Sequence, residues 1–119
     1  MKEIKVFEEA RAANCKNLGE AGINHTMFWA YFNSKDVGND LIDFHDVIWE
    51  ADIPEIVLVC RENGIREFTI SSTFSSLIET LAEFEKLGCK MFGLMQVKAN
   101  YTDWQTGKNA IIPAIKMVL

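Results

Sequence analysis

The chain predicts an α/β fold: a small mixed sheet of about four strands with helices packed on it. Three observations carry this. A strand-like run passes through a hydroxyl cluster into an amphipathic helix over Arg66-Glu67-Phe68-Thr69-Ile70-Ser71-Ser72-Thr73-Phe74-Ser75-Ser76-Leu77. Two units, Gly64-Ile65-Arg66-Glu67-Phe68-Thr69-Ile70 and Gly88-Cys89-Lys90-Met91-Phe92-Gly93-Leu94, repeat 24 residues apart, each behind a helix. Such units imply parallel strands joined by right-handed crossovers. Met91 to Val97 and Ile111 to Leu119 are joined by a loop too short for a helical crossover, so they should pair antiparallel.

The elements follow in order. Over residues 3–18, Ile4, Phe7, Ala10 and Leu18 recur at helical spacing, and Gly19 and Gly22 end the run. A second helix starts near His25 with Thr26 as its cap, carries Met27, Phe28, Tyr31 and Phe32, and breaks at Gly38-Asn39-Asp40. Trp29 should point away from that aromatic side. Leu41 to Phe44 reads as a short strand or a helical turn. Asp52 and Glu55 have capping-box spacing around Pro54, which opens a helix with the face Ile53, Ile56, Val57 and Cys60 that ends at Gly64. After the strand at 65–70, Ser76 and Glu79 make a second capping box. The stripe Leu77, Ile78, Leu81, Phe84 and Leu87 then runs to Gly88. The last strands, 91–97 and 111–119, flank a loop from Tyr101 to Asn109.

The length of 119 residues predicts a single domain over 1–119, with a helical N-terminal segment (1–35) and an α/β core (41–119). A net charge of −5 with scattered lysines and arginines argues against nucleic acid as a partner. No apolar run reaches ~20 residues, so no membrane partner is expected. The start Met1-Lys2-Glu3-Ile4-Lys5 lacks the apolar stretch of a signal peptide. Cys15, Cys60 and Cys89 are odd in number and widely spaced, which fits reduced thiols in the cytoplasm. Neither GxGxxG nor Gly-Lys-Ser/Thr occurs, and no cofactor is expected. Asp36, Asp40, Asp43 and Asp46 lack the order of a calcium loop, so no metal is expected.

In such a sheet ligands sit beyond the carboxyl ends of the parallel strands. Those ends should gather His45-Asp46, Ser71-Ser72-Thr73, and Gln96 and Lys98. The hydroxyls Ser71, Ser72, Thr73, Ser75 and Ser76 at a helix start offer donors to a phosphate- or carboxylate-bearing ligand; the plainer reading, which ranks ahead because every helix needs a cap and few bind anions, is that they cap the helix and fill a turn. His45, flanked by Asp43 and Asp46, with Ser71 or Ser72 nearby, has the ingredients of a base-activated nucleophile, so His45 and Asp46 are the catalytic candidates. No G-x-S-x-G elbow accompanies them. The dense aromatics Phe28, Trp29, Tyr31 and Phe32, with Trp49, Tyr101 and Trp104, fill the core or form an exposed patch suited to a protein interface or homodimer.

Gly38-Asn39-Asp40-Leu41-Ile42-Asp43-Phe44, Asp46-Val47-Ile48-Trp49, Gly64 to Ser72 and Pro113-Ala114-Ile115-Lys116-Met117 resemble an uncharacterised family of small domains from Gram-positive gut and soil bacteria and their phages and plasmids. The resemblance spans roughly residues 36 to 117. It implies the company of mobile elements and no activity. The helix–strand order also looks like the C-terminal half of a Rossmann-type methyltransferase, without that family's glycine-rich cofactor loop. Three functions rank in this order: a non-enzymatic domain that binds a protein partner or itself, a domain that binds a small anionic ligand at the hydroxyl cluster, and a hydrolase or transferase using His45 and Asp46.

Overall fold

The computed structural model describes residues 1–119. Helix α1 (Lys5–Ala12) and helix α2 (His25–Asp36) precede strand β1 (Asp43–Phe44). Helix α3 (Ile53–Glu62), strand β2 (Glu67–Ile70), helix α4 (Leu77–Lys86), and strands β3 (Lys90–Thr102) and β4 (Asn109–Val118) follow. The four-stranded sheet has the order β1-β2-β4-β3. β1 and β2 are parallel and β3–β4 is an antiparallel hairpin, as the sequence predicts. β3 runs in the same direction as β2, but β4 inserts between them.

The helix ends depart locally from the sequence reading. α1 stops at Ala12 instead of running to residue 18, because Asn14 adopts φ 53° and the Cys15 N–H turns back to Ala10 O at 3.0 Å. The cap of α2 is Asn24, whose Oδ1 accepts the Met27 N–H at 2.9 Å. Thr26 donates instead to Asp52 Oδ2 at 2.9 Å, and Asn24 Nδ2 donates to Asp52 Oδ1 and Glu55 Oε2. Asp52 and Glu55 therefore tie α3 to α2 and leave the capping box unmade. Ser76 makes no side-chain cap either. Gly64 at φ +67° ends α3 as predicted, in a left-handed conformation that other residues adopt only with strain.

Alternation divides the sheet into two faces. Phe68 and Ile70 look toward the helices; the Phe68 ring lies 5.6 Å from Phe44 and 5.1 Å from Phe84 of α4. Asp43 and Thr69, paired across β1 and β2, look the other way. The N-terminal helices close the β1 side of the core. Phe7 meets Phe28 and Tyr31 edge-on at 5.7 Å, while Tyr31 donates to Glu8 and accepts the Ile4 N–H. Lys35 and Tyr31 hydrogen-bond the Glu8 carboxylate and hold it below the usual carboxylate range. Trp29 points outward, as its helical position requires, while Phe28, Tyr31 and Phe32 are buried.

β3 and β4 are longer than expected. β2 accompanies β4 only from Val118 to Ile115, whereas the hairpin continues through Val97↔Ile112 and Lys98↔Ile111 to Thr102↔Asn109. The excess is a two-stranded arm that reaches past the carboxyl ends of β1 and β2. Asp103 closes its turn by accepting the Gln105 and Gly107 N–H groups, which shortens the predicted loop. Asn39 clips the arm down: its Nδ2 donates to Lys98 O and its Oδ1 accepts the Lys98 N–H, both at 2.9 Å.

Cys60 and Cys89 are wholly buried and Cys15 is partly so, all as free thiols. Burial, reinforced by Cys89, pushes the Cys60 thiol up to about 12. Iodoacetamide at pH 8 should therefore alkylate Cys15 alone in the folded protein, and all three cysteines in urea. Mass spectrometry of the intact chain reads the difference, and native labelling of Cys60 would show that the core opens under these conditions.

Candidate functional site

The carboxyl ends of β1 and β2 carry a buried polar chain. Asp43, 8% exposed, accepts Thr69 Oγ1–H at 2.7 Å on one oxygen and Ser71 Oγ–H at 2.6 Å on the other. Its backbone N–H donates to Ser34 Oγ of α2 at 2.8 Å, which fixes β1 against that helix. His45 Nδ1 lies 2.9 Å from Ser71 Oγ. Two alternating pairs, Asp43 with His45 and Thr69 with Ser71, thus face each other across parallel strands.

The directions of these bonds decide what the chain can do. Ser71 has one proton, and it goes to Asp43. His45 Nδ1 must then donate to Ser71, so Nε2 of the neutral ring is left as the free acceptor. In a nucleophilic triad the histidine stands between serine and carboxylate. Here the serine stands between, so it positions His45 instead of losing its proton to it.

His45 stands at the edge of a cavity of about 310 Å³. α2 contributes His25, Trp29 and Asn33, the strand end contributes Asp43 to Val47, and the arm contributes Lys98, Ala99 and Asn100. Trp29 Nε1–H donates to His25 Nε2 at 3.0 Å, which locks both rings along one wall. The Tyr101 ring stands 6.0 Å from that of His45. This volume is at the small end of sites that hold metabolites.

The expected site residues separate into groups. His45, Asp46 and Lys98 line the cavity together, and Ser71 stands behind His45. Gln96 does not line it. The rest of the hydroxyl cluster lies elsewhere: Ser72 and Ser76 border a void of about 10 Å³, no larger than a water needs, and Thr73 and Ser75 are exposed. Ser72 Oγ accepts the Phe74 N–H at 3.5 Å. Asn33 and Asn100 are cavity residues that sequence reasoning did not single out, and Trp29, expected only to face away from the core or join an interface patch, lines the cavity with them, since their approach depends on how the arm folds over α2. No group of three or more His, Cys, Asp or Glu side chains is arranged to hold a metal ion. No helix is long and apolar enough to cross a membrane.

Comparison with known families adds one finding. The model of a domain of unknown function, DUF7698, matches residues 26–119. The chain belongs to this family. Its match runs from the second residue of α2 through the arm, and leaves out α1 and the cavity residue His25. No curated protein and no solved structure matches the chain.

Proposed function

We propose that this DUF7698 domain binds a small polar ligand in the cavity beneath the β3–β4 arm, with His45 as the group that reads it. The observation that carries this reading is the Asp43–Ser71–His45 chain, which uses a buried carboxylate to aim an exposed imidazole at the mouth of a cavity. Three polar side chains held in one line across two strands give the ring a fixed direction, as a binding site requires. The test is a thermal-shift screen with nucleotides, sugar phosphates, amino acids and simple anions. A ligand present at ~100 times its dissociation constant stabilises the native state by about 2.7 kcal/mol. The shift should vanish in His45→Ala, whose side chain is exposed and whose loss leaves the core intact. A shift that persists in that variant would place the ligand elsewhere.

A second reading, binding of a protein partner, is supported by the other edge of the molecule, and the partner it favours is a second copy. β3 has β4 on one side only and presents Met91, Phe92 and Leu94, the last two 74% and 77% exposed. A long edge strand with apolar residues and no charge between Lys90 and Lys98 lacks the usual protection against strand addition. Since the Lys98 N–H and C=O face outward to Asn39, alternation turns those of Leu94 and Gln96 outward too. Antiparallel pairing centred on Met95 would set Leu94 against Gln96 of the other copy, between the bulge at Phe92 and the Asn39 clip. The three apolar side chains offer roughly 400 Å² per copy, which together lies below the range of stable interfaces, so the dimer should be concentration-dependent. Sedimentation equilibrium should show dimers at high concentration and monomers for Leu94→Lys; a wild-type monomer throughout would remove this reading. The free cysteines support a cytoplasmic setting for both readings.

A further inference from the structure

We infer that the ligand of the cavity is a zwitterion of amino-acid size, held by its ammonium group at Asp46 and His45 and by its carboxylate at Lys98. This rests on the proposal that the cavity binds a ligand. Among the residues that line the cavity, Lys98 carries the sole fixed positive charge, and Asp43 and Asp46 the negative ones. The four ion pairs of the molecule join Arg11 to Asp36, Lys35 to Glu8, Lys86 to Glu83 and Lys116 to Glu67. Asp46 and Lys98 thus border one cavity with opposite charges and are paired neither with each other nor with any other side chain. A ligand of one sign would satisfy one of them and be repelled by the other; a ligand with both signs satisfies both.

The hydrogen-bond inventory points the same way. Both oxygens of Asp43 already accept a buried hydroxyl, so beside the neutral amides of Asn33 and Asn100 the acceptors left for a ligand are the Asp46 carboxylate and His45 Nε2. An ammonium group supplies donors to both, where a phosphate would find Lys98 as its one cation and be repelled by Asp46. Lys98 donates to the carboxylate. Trp29, beside these groups and locked by His25, gives an apolar wall for the side chain of the ligand.

Isothermal titration of the full chain with the standard L-amino acids, and with the matching amines and deaminated acids, tests this. One amino acid class should bind, and its amine and its acid should each bind about tenfold more weakly, as expected for the loss of one charge-assisted contact. Lys98→Ala should weaken the amino acid and leave the amine unchanged, and Asp46→Asn should weaken the amino acid and leave the deaminated acid unchanged. Both residues are exposed, and unchanged melting temperatures of the unliganded variants would show that the fold is kept. Binding of a phosphate compound that His45→Ala abolishes, with amino acids silent, would overturn the zwitterion and keep the cavity as a binding site. Silence of every probe would overturn both.

Discussion

Asp43→Ala should reverse the hydrogen-bond direction of His45 and lower the unfolding free energy by about 2–3 kcal/mol, the cost of leaving buried donors without their acceptor. Thr69 Oγ1 keeps only a 3.5 Å approach to Ile42 O, and Thr69 is fully buried. Ser71 keeps His45, but its freed proton now turns to Nδ1, and the ring hydrogen moves to Nε2. Nitrogen chemical shifts of the His45 ring report that exchange, and urea unfolding reports the stability. Asp43→Asn keeps one acceptor oxygen and should cost less, since one hydroxyl then faces an NH₂ group. A wild-type ring tautomer in Asp43→Ala would mean that the carboxylate does not set the direction of the chain.

Phe68→Ala should cost more, about 3–5 kcal/mol, and is the substitution most damaging to the fold. Its ring is completely buried between Phe44 and Phe84, so it joins the sheet to α4, and its strand is flanked by β1 on one side and β4 on the other. The cavity left behind cannot collapse without moving a strand. Trp104→Ala is the matched control: at 87% exposure on the arm turn, its loss should change stability by less than about 0.5 kcal/mol. Equal losses from the two substitutions would place the core elsewhere.

Local rules were legible in this sequence where local chemistry decides. Gly64 and Gly88 end helices at positive φ, and the period-two pattern of Phe68 and Ile70 marks a strand. The antiparallel partnership of the last two strands follows from loop length alone. Side chains that satisfy distant groups were harder to place. Asp52 and Glu55 have the spacing of a capping box, yet Asn24 and Thr26 claim them from residues nearly thirty positions away. Ser71 reads both as part of a helix-start cluster and as a neighbour of His45 and Asp43, and the structure makes it the link between those two side chains. A serine has the same preferences in either setting, so composition cannot separate them. The register of β1 on β2 does, by setting the alternating pair Asp43-x-His45 against Thr69-x-Ser71. The cavity itself depends on the clip from Asn39 to Lys98, which joins positions 59 apart and leaves no local mark.

The insertion of β4 between β2 and β3 also bears on how the protein is made. Of the four strands, the last in chain order is an inner strand of the sheet, hydrogen-bonded on both sides. Until it arrives, β2 has β1 on one flank and an open edge on the other, and β3 has no neighbour at all. A nascent chain that lacks β4 therefore carries one half-paired and one unpaired strand beside exposed Phe68 and Ile70, a state prone to association with other chains. The sheet can close only once β4 has been made and can reach β2 and β3, so the four strands form one cooperative unit whose folding waits for its last member in chain order.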